Sequence, residues 1–144
     1  MNEMLETERL LLRPVSADDL PHIAALMADY DVVKNLSTAP HPYTLADAEA
    51  FFARPRESEA HDFAIIRKSD GELIGKIGMR AKDGVFEMGY WIGKPRWGHG
   101  FATESARRVL AFGFNELKLE RIVAGWFEDN PASGRVLEKL GFSA

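Results

Sequence analysis

The stretch KPRWGHGFATES, Lys94 to Ser105, sets two glycines around a histidine directly before a run with helical patterning. Glycine tolerates positive φ and lets backbone amides converge where side chains would clash. At a helix N-terminus the first amides lack intrahelical partners, and the positive end of the helix dipole lies there. Gly98, His99 and Gly100 therefore predict an anion site suited to a phosphate or pyrophosphate. The same glycines also suit a plain strand-to-helix turn, and their spacing alone does not separate the two readings. Two nucleotide motifs do not fit. A Walker loop needs Gly-Lys-Ser/Thr, whereas Gly100 is followed by Phe101, Ala102 and Thr103. A dinucleotide fingerprint needs a further glycine where Thr103 stands, and it follows its strand directly, whereas Lys94 to Trp97 intervene here.

Other chemistries are excluded by residue type. The chain has no cysteine, hence no disulfide, no thiolate metal site and no cysteine nucleophile. His22, His41, His61 and His99 are scattered without ligand spacing, so no metal is expected. Trp91, Trp97 and Trp126 read as core or cleft wall. A formal net charge of −4 argues against broad nucleic-acid binding, which needs a basic footprint. Arg107 and Arg108 read as a wet helix face, and Lys94 and Arg96 as rim charges or attractors of phosphate. The N-terminal MNEMLETERLLLRP resembles neither a signal peptide nor a membrane span. A reducing cytoplasm fits the absence of cysteine.

These residues must be positioned by one domain, residues 1–144, whose 46% hydrophobic content is enough for a core. Glu8 to Pro14 reads as a first strand ended by its proline. Ser16 to Asp19 reads as a helix start with Ser16 as N-cap and Asp19 at the capping-box position, followed by Leu20, Ile23, Ala24 and Met27 at helical spacing. Pro40 and Pro42 mark a loop, and Thr44 caps a second helix through Phe51 and Phe52. Three strands follow, at Asp62–Arg67, Leu73–Met79 and Val85–Ile92, joined by turns at Asp70-Gly71 and Asp83-Gly84. From Phe101 to Leu117 an apolar stripe of Ala102, Ala106, Val109, Leu110, Gly113, Phe114 and Leu117 predicts a helix with Glu104 on its wet face. Arg121 to Phe127 is another strand. A strand, crossover helix and strand imply a parallel pair. Asn130 and Pro131 open a last short helix, with Gly141 as its left-handed cap.

Four segments, in order along nearly the whole chain, carry a family likeness: Thr7 to Arg13, Gly89 to Gly93, Trp97 to Glu104, and Asn130-Pro131-Ala132-Ser133 through Lys139-Leu140-Gly141-Phe142. On these the sequence resembles the GNAT superfamily of acyl-CoA-dependent N-acyltransferases. It is most similar to the branch of ribosomal-protein alanine N-terminal acetyltransferases. The resemblance implies an α+β, single-domain GNAT-like fold whose central sheet is mixed, mostly antiparallel, and flanked by helices. It implies acetyl-CoA as cosubstrate. The loop Gly98, His99, Gly100, Phe101, Ala102 and Thr103 would wrap its pyrophosphate. Trp97 stands where that pattern usually has Gln or Arg. Trp91 and Ile92 would pair by backbone with the pantetheine arm, a form of strand addition, and Asn130 would cap its helix and hold the same arm.

Acyl transfer from a thioester to an amine needs a deprotonated amine, a donor to the oxyanion, an acid for the departing thiolate and two substrates held together. Glu87 is the candidate base, against a plain reading as an exposed strand acid. Ser133 is a candidate for contact with the thiol or the CoA arm, against a capping role, and Tyr90 is a lesser candidate, against a packing role. Many relatives carry a tyrosine acid on the last helix, and the matching position here is Leu137. An α-amine, with a pKa near 8 against about 10.4 for lysine, needs little help from a base. The acceptor expected is therefore a primary amine of a small molecule or peptide, an N-terminal α-amine being favoured, attacked directly in a ternary complex. Acceptor choice is expected of the first two helices and their loop, Asp29 to Tyr43. The alternative is a non-catalytic acyl-CoA-binding or sensing module of the same fold. Relatives usually continue past Phe142 into closing strands, so C-terminal strands are expected to be missing or supplied by a partner. An open sheet edge would then invite a homodimer.

Overall fold

The computed structural model describes residues 4–28, 44–53, 61–82, 85–119 and 122–124. Alternation in the strands Leu10–Pro14 and His61–Arg67 separates two faces, and the register of the second with the strand Glu72–Lys82 shifts between Ile65 and Ile66. Leu10 and Leu12 lie in one buried cluster with Phe63, Ile65, Ile77, Met79 and Met88. Their neighbours Leu11, Ala64 and Ile66 lie in the other. A sheet with both faces apolar must be covered on both sides, and helices do so here.

The strands are β1 (Leu5–Glu6), β2 (Leu10–Pro14), β3 (His61–Arg67), β4 (Glu72–Lys82), β5 (Val85–Ile92) and β6 (Ile122–Ala124), hydrogen-bonded in that order. Pairing is antiparallel from β1 to β5. β5 and β6 are parallel, with Phe86 opposite Ile122, Glu87 opposite Val123 and Met88 opposite Ala124. The expected mixed, mostly antiparallel sheet and its parallel crossover are thus both present. The strand expected from Glu8 is β2 and begins at Leu10, because Thr7 to Arg9 form a turn in which the Thr7 amide donates to the Leu10 carbonyl at 2.9 Å. β4 runs longer than expected, from Glu72 to Lys82.

On one face lie α1 (Leu20–Met27), entered through a 3-10 turn at Ala17–Asp19, and α2 (Leu45–Ala53). Leu20, Ile23, Ala24, Met27 and Ala48 pack there on Ala64, Ile66 and Leu73. Both capping boxes form. The Asp19 carboxylate accepts the Ser16 amide at 2.8 Å. Asp47 accepts the Thr44 amide at 2.9 Å, and the Asp47 amide donates to the Thr44 hydroxyl at 3.2 Å.

On the other face lies α3 (Phe101–Ala111), which continues as a π-helical turn at Phe112–Glu116. Phe101, Ala106, Val109 and Phe112 are its buried residues in the first cluster. The wide turn corrects the expected stripe: Phe112 and Gly113 point inward, and Phe114 is 45% exposed. Gly113 allows the close approach to β6, since a Cβ there would stand 2.7 Å from Ile122 Cδ1. The Asp83-Gly84 turn, the expected last helix, the Asp29 to Tyr43 segment and everything beyond Ala124 lie outside the described residues.

Candidate active site

The glycine loop is built outward from the end of β5. The Gly93 amide donates to the Ile74 carbonyl at 2.8 Å, which anchors the strand end. Lys94–Arg96 then make a 3-10 turn. Arg96 closes it onto β4 by a two-point pair with Glu72, Nε to Oε1 at 3.2 Å and Nη2 to Oε2 at 2.6 Å. Arg67 stands on the same carboxylate at 3.5 Å and also pairs with Asp70. Arg96 is therefore a brace of the loop, and its charge is matched by protein.

Trp97 also turns inward at its polar end. Its indole N–H donates to the Ile92 carbonyl at 2.6 Å, while the residue as a whole remains 45% exposed. Gly98 and Gly100 follow with φ of +81° and +76°, the left-handed region open to glycine at little cost. Gly100 is the N-cap of α3, so no side chain caps this helix. The first helical bond is from the Glu104 amide to the Gly100 carbonyl at 3.0 Å. Among the described residues no acceptor takes the amides of Phe101, Ala102 and Thr103. Gly98, His99 and Gly100 are exposed, whereas the Phe101 side chain is buried, so Phe101 can offer a ligand only its backbone.

One acid expected on the wet face is not there. Glu104, in the first turn of α3, is half-buried and bound from the N-terminal turn. Its Oε2 accepts the Thr7 hydroxyl and, at 3.0 Å, the Arg9 amide, and its Oε1 accepts Arg9 Nε at 2.6 Å. Burial pushes this carboxyl up, but the combined hydrogen bonds from Thr7 and Arg9 outweigh it and hold it below the usual range. The Arg9 guanidinium carbon lies 4.4 Å over the centre of the Phe101 ring, and the His99 ring is tilted against that ring at 5.7 Å. Sequence reasoning singled out both segments, Thr7 to Arg13 and Trp97 to Glu104, and did not join them.

Glu87 sits on β5 where the parallel pairing begins, opposite Arg80, at 3.8 Å from its guanidinium. Alternation puts Glu87, Gly89 and Trp91 on the α1/α2 side of the sheet, and Tyr90 and Ile92 on the α3 side. Tyr90 packs against the first core cluster, which fits a packing role. Around Glu87 the sheet surface is polar: Lys76 pairs with Asp62 at 3.0 Å, and Gly78 faces Gly89 across the strands. Gly89 is exposed although β5 is an interior strand, and no described atom lies within 4 Å of where a Cβ would project. Such a gap is where a ligand can approach backbone closely. From Glu87 to Ile92, β5 spans about 16 Å at the ordinary strand rise, a span for an extended arm between the loop and the acid. Asn130 and Ser133 lie outside the described residues. No helix among the described residues is long and apolar enough to cross a membrane.

A mixed sheet with a parallel crossover thus carries a helix without a side-chain cap behind a glycine loop, with an acid on the intervening strand. The model of the GNAT acetyltransferase domain matches residues 9–143. The chain is 35% identical over 150 residues to the uncharacterized N-acetyltransferase YoaA of Bacillus subtilis, covering 99% of this chain and 84% of that one. Among solved structures, a GNAT-family acetyltransferase from Bacillus anthracis superposes with a TM-score of 0.88 at 29% identity, covering 98% of this chain and 84% of the other. RimJ of Mycobacterium smegmatis, solved with CoA-disulfide, has the same fold, with a TM-score of 0.81 at 21% identity over 98% of this chain and 76% of that one. The chain belongs to the GNAT family and is an N-acetyltransferase. Acetyl-CoA is the donor typical of that family.

Proposed function

We propose that the chain moves the acetyl group of acetyl-CoA to a primary amine, an N-terminal α-amine of a peptide or protein being the favoured acceptor, by direct attack in a ternary complex. The observation that carries the donor half is the start of α3, where left-handed Gly98 and Gly100 precede a helix without a side-chain cap. In this reading the backbone of Gly98, His99, Gly100, Phe101, Ala102 and Thr103 holds the pyrophosphate. Trp97 contributes an exposed ring beside it. Trp91 and Ile92 offer backbone to the pantetheine arm. The Ile92 carbonyl already accepts one N–H from Trp97, and a carbonyl has a second lone pair. Asn130 is taken to hold the arm, and Ser133 to contact the thiol or the arm.

The amine nitrogen attacks the thioester carbon, its proton passes to Glu87 or to water, the C–S bond breaks, and the thiolate leaves to be protonated. Two features support an α-amine acceptor. Glu87 is a single acid facing Arg80, with no second titratable partner forming an acid–base pair among the described residues. An α-amine is substantially neutral near its pKa of about 8, so modest assistance is enough. The test uses N-terminal peptides, polyamines, amino acids and aminoglycosides as acceptors, with Glu87→Gln beside the wild type. Peptides with free α-amines should be the best substrates. Glu87→Gln should lower kcat about 100-fold while CoA affinity stays within about twofold. Turnover confined to polyamines or aminoglycosides would overturn the acceptor, and an unchanged kcat in Glu87→Gln would overturn the base.

A further inference from the structure

The ion pairs of this protein differ in geometry, and the difference singles out Arg9. Arg13 meets Asp19 with both terminal nitrogens, each at 2.8 Å, and Arg96 meets Glu72 at two points. Those two guanidiniums have their planar fork turned toward a carboxylate, the arrangement of strong structural pairs. Arg9 meets Glu104 through Nε alone. The second carboxylate oxygen is already taken by the Thr7 hydroxyl and the Arg9 amide. The guanidinium carbon stands 4.4 Å from the centre of the Phe101 ring, within cation–π range. Nη2 stands 3.6 Å from the position a Cβ would take on Gly100. Among the described residues Nη1 makes no hydrogen bond or ion pair, nor does Nη2, and the side chain is 45% exposed.

We propose that Arg9 is a donor-binding residue, its terminal N–H groups pairing with a phosphate of CoA at the α3 loop. The inference rests on the reading of that loop as the pyrophosphate site. Glu104 and Phe101 act as positioning residues, holding the guanidinium at the loop from a distant part of the chain. The arrangement adds to what the backbone of the loop supplies. The Trp97 indole N–H is committed to the Ile92 carbonyl, and the Arg96 guanidinium is committed to Glu72. Backbone amides give the loop partial charges only; the Arg9 guanidinium, its charge shared with Glu104 at Nε, adds two terminal nitrogens in a planar fork for charge-assisted hydrogen bonds to phosphate.

Calorimetry of the full chain with CoA and with dephospho-CoA, at low and moderate salt, tests this. Arg9→Met keeps an apolar stem on Phe101 and removes the charge. Arg9→Lys keeps the charge and removes the fork. Arg9→Met should bind CoA roughly tenfold more weakly, with a flatter salt dependence, and Arg9→Lys should fall between it and the wild type. If the contact is to the 3′-phosphate, the Arg9→Met defect should vanish with dephospho-CoA, and if to the pyrophosphate it should persist. CoA affinity within twofold of wild type in Arg9→Met overturns the proposal. So does equal weakening in both variants with unchanged salt dependence, which would mark Arg9 as a structural tie. Failure of the wild type to bind CoA would instead overturn the reading of the loop itself.

Discussion

Gly98 and Gly100 have room for a side chain. A Cβ on Gly98 would meet nothing within 4 Å, and on Gly100 its nearest neighbour would be Arg9 Nη2. What they require is the left-handed backbone, at φ +81° and +76°. Gly98→Ala should therefore cost about 1–2 kcal/mol of folding stability from the backbone term alone, and Gly98→Asn clearly less, because Asn visits that region more readily. Urea titration of the three proteins checks this, and equal costs for Ala and Asn would point to crowding instead. The loop was legible in the sequence because its signal is local, two glycines before a helical run. The Glu104 clamp was not. Its partners Thr7 and Arg9 lie 97 and 95 positions away, and nothing within one turn of Glu104 distinguishes it from a solvated acid.

Elements were read well where pattern and punctuation agreed. Capping residues Ser16 and Thr44, the Lys68–Gly71 turn and the strands on either side of it stand where their residue types put them. β1, with two residues, is too short for any alternation to show. The π-helical turn was hidden for a different reason: Gly113, Phe114 and Leu117 continue an α-helical stripe, whereas the close packing of Gly113 on Ile122 and Met79 joins residues distant in sequence. That turn ends with Lys118 at φ +58°, an uncommon position for a side chain, and with the Leu119 amide on the Gly113 carbonyl at 3.0 Å. Lys118→Gly should stabilise the protein by up to about 1 kcal/mol. At the other end of the fold, Asp19 accepts from Ser16 and from both terminal nitrogens of Arg13, joining β2 to α1. Asp19→Ala should destabilise by about 2–3 kcal/mol, since it leaves a half-buried arginine unpaired as well as removing a cap. Thr44→Ala, at a wholly exposed cap, should cost only about 1 kcal/mol. Thermal melts of the three variants check the order.

At the scale of the whole molecule, four ion-paired acids, Asp19, Asp70, Glu72 and Glu104, are all held below the ordinary carboxylate range. The Arg13 hydrogen bond does this for Asp19, that of Arg96 for Glu72, and that of Arg67 for Asp70, which is lowered to about 2. Glu104 is lowered despite its burial. A depressed folded-state pKa means that the unfolded chain takes up protons first as pH falls. The stabilisation is thus complete above the unfolded values near 4 and is lost as pH drops through the folded ones, ending near 2 for Asp70. The urea midpoint should be flat with respect to these groups above about pH 5 and fall steadily below about pH 4. Glu104→Gln should flatten that fall, because its proton uptake is removed from the difference between the two states. Glu72 and Glu104 brace opposite sides of the glycine loop, one through Arg96 and one through Arg9. Loop order and global stability should therefore decline over the same acid range, visible as a matching loss of CoA affinity. A midpoint that rises between pH 5 and pH 3 would contradict the ion-pair account of how the loop is held.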